Sequence, residues 1–439
     1  MSMTRDTPMP DTSPIPVIVQ RGRKDVRATL AVRSFRWVFL SMLVGSIGAW
    51  VSRIALDWLI LELTGSVAAV GLAVTFQFAP ILLFGLWGGS LSDRFPRLRV
   101  IRIANGTAAA GVVALAVLAQ CDALMLWHIY GAAALGGLAA VAEGPARSAL
   151  IAQVVPRERL QTAIGINAAA FHTASLGGVS ASGAVLILFG APWALTISAV
   201  LAVLSFAALT GLRTAEIPRL VRLPELGTGV AAAARYAWRK PGIRWPLVLL
   251  TFVATFGMTQ NVLFAAAARD VGFGTGPGGY SLYMAAGAFG ALLGAILSTR
   301  RRTVGVAIVV TGAVLFGAAM VGAAFAQVDA VFVLCVVVLS LLRVMFATSA
   351  EALVQLSTNP AIRGRVSGLY LVIVAAGQTG GAVLIGAIVQ TWGLQAGFAV
   401  AGGVPFLAGC VVLVLTVRTW DVWVRRFGLR PRRRAREVS

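Results

Sequence analysis

Arg53 and Asp57 lie four residues apart in the otherwise apolar run WVSRIALDWLI, and Glu143 and Arg147 repeat that spacing in VAEGPARSAL. Four residues is just over one helical turn, so each pair can meet on a single face. A third acid and base, Arg343 and Glu351, are eight apart, which puts them near one face without contact. An unpaired charge at the centre of a bilayer costs at least ~3 kcal/mol, so such groups persist where they pair, face water or do work. A carboxylate whose surroundings alternate between wet and dry can bind and release a proton. Asp57, towards the outer end of its segment, is the leading candidate for that chemistry. Glu143 and Glu351 occupy the inner halves of their segments and suit either a gate or a proton site. The structural alternative for each is a static neutralising pair, with Arg53, Arg147 and Arg343 as the charge partners.

The elements that must position these groups follow from composition. The 439-residue chain is 58% hydrophobic and only 12% charged, about half the charged fraction of a soluble domain. Runs of about 20 apolar residues mark membrane-spanning helices. They fall here at 36–61, 66–91, 103–120, 123–142, 162–189, 192–212, 245–268, 279–299, 303–327, 330–349, 366–390 and 394–417. The expected fold is therefore an all-α membrane protein of twelve transmembrane helices. Of the 37 Lys and Arg residues, Arg53, Arg147 and Arg343 fall inside or just at the edge of spans and Arg269 falls in an outer loop. The other 33 lie in the termini and on one side of the membrane, which the positive-inside bias makes the cytoplasm. The expected topology is N-in and C-in. The net charge of +21 has this explanation and needs no nucleic-acid partner.

The expected division is a cytoplasmic tail at 1–34, a six-helix bundle at 35–212, a cytoplasmic linker at 213–244, a second six-helix bundle at 245–417 and a basic tail at 418–439. In the linker, GVAAAARYAWRK reads either as a short amphipathic helix on the inner membrane surface or as flexible chain. The tail RRFGLRPRRRAREVS suits anionic lipid headgroups. Two halves are also visible as a repeat. GGVSASGAVLILFG (177–190) and GGAVLIGAIVQTWG (380–393) share the pattern G-G-x4-G-x6-G at an offset of 203 residues. Parallel six-helix repeats around a midplane cavity are a transporter plan. Gln77, Asn167, Asn261 and Gln378, with His172 beside them, are the polar residues placed to line such a cavity. His172 can also serve simply as a hydrogen-bonding bridge to a neighbouring helix.

Cys121, Cys335 and Cys410 have no paired or metal-like spacing, and only two histidines occur. Neither a disulfide framework nor a metal site is expected. No GxxxxGK[ST] loop for ATP is present, and no nucleophile or histidine cluster suggests an enzyme.

Between the second and third spans the chain reads GGSLSDRFPRLR (88–99). This resembles the hallmark motif of the major facilitator superfamily, with Gly89, Asp93, Arg94, Arg97 and Arg99 at matching positions and Pro96 where the family usually has Gly. GPARSALIAQVVPRERL, AARDVGFGTGPGGYSLYMAAGAFGALLGA and RGRVSGLYL are similar to its bacterial drug and siderophore exporter branch, which includes enterobactin exporters and macrolide-efflux proteins. The resemblance implies that Asp93 caps the cytoplasmic end of the eleventh helix and meets Arg147 on the fourth, closing the two halves on the inside. A carboxylate at a helix N-terminus is favoured by the exposed amides there. It also implies a multi-pass protein of the bacterial cytoplasmic membrane, working as a monomer. The protein would use no cofactor and would export a small amphipathic or cationic molecule by proton-coupled alternating access. An importer of the same fold, or a non-transporting receptor or scaffold, is the alternative.

Overall fold

The computed structural model describes residues 23–156, 159–212, 230–269, 276–299, 304–326, 328–359 and 362–427. Every regular element among them is helical. A short helix α1 (Arg23–Leu30) precedes α2 (Arg33–Thr64), α3 (Val67–Arg94), α4 (Arg97–Gln120), α5 (Leu126–Val154), α6 (Leu160–Phe189) and α7 (Ala191–Thr210). After the linker come α8 (Val230–Arg239), α9 (Pro241–Phe252), α10 (Gln260–Ala267), α11 (Gly276–Thr299), α12 (Val306–Ala323), α13 (Asp329–Ser357) and α14 (Arg363–Phe427).

Local chemistry sets the ends of these helices. α2 stops at Gly65, whose positive φ of 65° lets its N–H reach the Leu61 carbonyl, a conformation costly for any residue with a Cβ. Ser66 then caps α3 by accepting from the Ala69 N–H at 3.4 Å. Pro96 starts α4, which answers how the hairpin turns without the glycine usual there. The amphipathic linker segment is helical as α8. The polar N-terminal stretch adds α1, which packs on α2 and α6.

Among the described residues, ten stretches are long and apolar enough to cross a bilayer. One of them, Arg365–Thr416, runs for 52 residues, which at about 1.5 Å per residue is more than twice the thickness of a hydrocarbon core. It bends sharply at Gly393, where φ is 85° and ψ 172°. Gly190, 203 residues earlier, has nearly the same backbone, φ 81° and ψ 175°, between α6 and α7. The closing glycines of the two sequence repeats thus make the same turn. α5 is 29 residues long but lies outside the ten, because Glu143, Pro145 and Arg147 dilute its apolar character.

The segment expected as one span at 245–268 is interrupted. Between α9 and α10, Val253–Gly257 forms a π-turn in which the Met258 N–H bonds to the Val253 carbonyl at 2.9 Å. Such bulges disrupt the helical ladder and are frequent at functional sites.

Helices before residue 213 pack chiefly on one another, α2 on α6 and α7, α3 on α5, and α4 on α5 and α7. Those after 240 do the same, α11 on α13, and α12 on α13 and α14. The two groups meet through α3 against α14 and α6 against α11. Gly71 of α3 lies so close to the Ala382 carbonyl that a Cβ there would collide with it, so the small residue sets the approach of the two helices.

Candidate functional site

The site is built on α2, α3, α10 and α11. Arg53 and Asp57 share one face of α2, with Asp57 buried. Their ion pair is long, 3.9 Å from Nε to Oδ2, because both side chains have closer partners. Arg53 donates from Nη1 to Gln77 Oε1 of α3 at 2.7 Å. With its amide oxygen turned towards the guanidinium, Asn261 of α10 accepts from Arg53 Nε at 2.8 Å and also from Nη2. Asp57 accepts a 2.7 Å hydrogen bond from the Tyr280 hydroxyl of α11, and the Tyr280 ring stacks near Trp58 with centroids 6.5 Å apart.

Two sequence-predicted cavity residues, Gln77 and Asn261, therefore join the predicted pair. Together with Tyr280 they tie the early helices to the late ones. A cavity of about 210 Å³ opens beside the cluster among α2, α3, α4 and α5, with Arg53, Asp57 and Gln77 as its charged and amide lining against an otherwise mostly apolar wall. A carboxylate with one short neutral donor and its cation at 3.9 Å can take a proton without a tight ion pair having to break.

Contacts at the same end of the molecule link the two groups further. Arg269 donates to the Gly65 carbonyl at the end of α2. Ser66 Oγ donates to Gln390 Oε1 at 2.8 Å, and Thr75 Oγ1 donates to the Thr379 carbonyl at 2.7 Å.

The second predicted pair also forms. Arg147 Nη2 donates to Glu143 Oε1, which also accepts from Asn105 Nδ2 of α4 at 3.0 Å. Arg147 Nη1 is buried without a partner. The third pair does not meet. Glu351 is exposed and accepts from Gln355 at 3.1 Å, while Arg343 Nε is buried without a hydrogen bond. Asn167 Oδ1 is likewise buried and unpaired, and Gln378 is partly buried.

The side chains of Gly89, Asp93 and Arg94 in the hairpin motif, and that of His172, lie outside the described residues. Arg97 donates to the Ala149 carbonyl of α5 at 3.3 Å, and Arg99 is exposed. Arg102 donates to the carbonyls of Leu209 at 2.9 Å and Leu212 at 2.6 Å, placing a cation at the C-terminal end of α7 where the helix dipole favours it.

Tyr280, Asn105 and Arg102 were not singled out as site residues by the sequence. The signal for Tyr280 is that a tyrosine inside an apolar run, when buried, finds a partner for its hydroxyl. Nothing local reveals which partner.

The model of the transmembrane secretion effector family, within the major facilitator superfamily, matches residues 26–426. The chain belongs to that family. It is a multi-pass membrane transporter and not an enzyme. The chain is 27% identical over 375 residues to the multidrug efflux pump Tap of Mycobacterium tuberculosis H37Rv, covering 82% of this chain and 88% of that one. It is 26% identical over 389 residues to the enterobactin exporter EntS of Citrobacter koseri, covering 87% and 91%. Among solved structures, the POT family transporter PepTSo superposes with a TM-score of 0.68 at 16% identity, over 89% of this chain and 98% of that one. A bacterial homologue of the lysosomal transporter Spinster gives 0.65 at 17% identity, over 90% and 98%. These structures share the fold.

Proposed function

We propose that this transporter is a proton-driven exporter of a small amphipathic molecule, acting from a bacterial cytoplasmic membrane. Asp57 is its coupling carboxylate. The observation that carries the reading is the placement of a buried Asp57 between Arg53 on its own helix and Tyr280 on a helix of the other group. Protonating Asp57 changes the charge at a junction between groups that must move apart, so proton and conformation are linked. The relatives named as a multidrug efflux pump and an enterobactin exporter favour outward transport of small molecules.

The reading includes twelve crossings with both termini inside. To the ten apolar stretches it adds α5 and divides α14 at Gly393, giving six-helix bundles at 35–212 and 245–417. Their contacts near Gly65, Ser66 and Tyr280 then close the outer end, with the substrate route open to the inside. The Glu143–Arg147 pair and the Asp93 motif serve the inner gate, and the basic tail meets anionic headgroups. The proton gradient supplies the energy, with no cofactor, and one chain holds both halves of the site.

The test uses inverted membrane vesicles and a panel of cationic and anionic fluorescent dyes with a metabolite mixture. Uptake that an uncoupler abolishes is the expected result. Uptake of panel compounds that proceeds unchanged after the uncoupler would overturn the proton-driven reading.

A further inference from the structure

The sequence singles out six ionisable groups in or at the edge of the spans: Arg53, Asp57, Glu143, Arg147, Arg343 and Glu351. Among the described residues Arg343 alone of the six has no hydrogen-bonding or ionic partner, and its Nε is shut away from solvent. It stands at the midpoint of α13, fourteen residues from Asp329 and fourteen from Ser357, so about 21 Å separates it from either end. Neither end of the helix is near enough to bring it to water, although the residue is only partly buried, and Glu351, about 12 Å further along, cannot neutralise it.

Arg343 also faces inwards. The exposed apolar stripe of α13 runs through Val331, Leu334 and Val338, with Leu334 63% exposed. Arg343 comes nine residues after Leu334, which at about 100° per residue is the opposite side of the helix. One turn before Arg343, the buried hydroxyl of Ser340 is also without a partner. Below it on α13, the Ala347 carbonyl accepts from Tyr370 of α14 at 3.4 Å, so this region of α13 looks towards other protein helices.

The orphaned polar atoms elsewhere share a character. Arg147 Nη1, Arg244 Nε and Gln260 Nε2 are donors without acceptors, the Ser281 hydroxyl can donate or accept, and Asn167 Oδ1 is a lone acceptor. A membrane interior with a surplus of donors and an unmatched cation is short of an acceptor-rich anion.

We propose that Arg343 binds an anionic group of the transported molecule, so that the substrates are amphipathic organic acids carrying a carboxylate, sulfonate or phosphate. A guanidinium suits such groups because its planar donors match two oxygens at once. This deepens the exporter reading, on which it rests for the direction and energy of transport.

The test compares fluorescein with rhodamine 123, dyes of similar size and opposite charge. Each is titrated into the full chain in nanodiscs under excess chloride, which removes simple halide binding, and followed by fluorescence anisotropy. Wild type is expected to bind fluorescein saturably and in preference to rhodamine 123. Arg343→Gln is expected to weaken fluorescein binding by about tenfold or more, the effect of losing one charge-assisted contact. Arg343→Lys, which keeps the charge but not the two-oxygen match, is expected to bind fluorescein more tightly than Arg343→Gln and less tightly than wild type, an order that misfolding of the Gln variant alone would not produce. Equal fluorescein binding by wild type and Arg343→Gln overturns the proposal, as does a wild-type preference for rhodamine 123 or saturable binding of neither dye. No proton gradient enters this assay. Arg343-dependent binding without uncoupler-sensitive uptake sinks the exporter reading alone, and uncoupler-sensitive uptake with no role for Arg343 sinks this inference alone.

Discussion

Asp57→Asn is expected to lower uptake driven by an imposed pH gradient by about 10- to 100-fold, the range of a typical coupling energy. Exchange of substrate down its own concentration gradient should survive. The reason is geometric. Asparagine matches aspartate in size and keeps an oxygen to accept from the Tyr280 hydroxyl, now 2.7 Å from Asp57 Oδ2. The packing of α2 against α11 therefore persists, and the amount of folded protein should match wild type. The charge that appears and disappears with the proton is lost. Gradient-driven uptake and substrate counterflow measured in the same proteoliposomes check the split. Equal gradient-driven uptake in the two proteins would remove Asp57 from the mechanism.

The second large effect belongs to Arg53. Its guanidinium serves Gln77 on one side and Asn261 on the other, with Asp57 at 3.9 Å. Arg53→Gln strips the donor from two amides and leaves a buried carboxylate without its cation. Breaking a buried pair from one side costs ~3–5 kcal/mol; the partial exposure of Arg53, 19%, places this case at the low end. A clear fall in the melting temperature of the detergent-solubilised protein is expected, together with loss of transport. The double variant Arg53→Gln, Asp57→Asn leaves no bare charge. It should recover much of the stability while staying inactive in gradient-driven uptake. Double-mutant analysis reads this as a coupling energy. Stability losses that merely add would show that the two side chains do not depend on each other.

What the sequence made legible was local. Arg53–Asp57 and Glu143–Arg147 were readable because four-residue spacing fixes a helical face, and both pairs form. The repeat ending in Gly190 and Gly393 was readable because only glycine readily takes the positive φ both turns require. Long-range partners were not legible. Tyr280 meets Asp57 across 223 residues, and no pattern within either segment encodes that meeting. The spacing also suggested a close Arg53–Asp57 bridge, whereas tertiary neighbours draw the guanidinium to Gln77 and Asn261 and lengthen it. The π-turn at Val253–Gly257 escaped because hydropathy cannot distinguish a bulged helix from a regular one. The missing partner of Arg343 was hidden for a similar reason: Glu351 lies near the same face, but eight residues of rise separate the charges.

The most direct test of the central claim needs no substrate. Phe189 and Trp392 are equivalent under the 203-residue repeat, end α6 and the first arm of α14, and are 61% and 71% exposed. Each can be replaced by cysteine in a background lacking Cys121, Cys335 and Cys410, spin-labelled, and the inter-label distance distribution followed by pulsed electron resonance across pH. If protonation of Asp57 drives the halves between arrangements, the distribution shifts with pH in the otherwise unaltered protein and stays fixed in Asp57→Asn. The same pH response in both proteins would contradict the account.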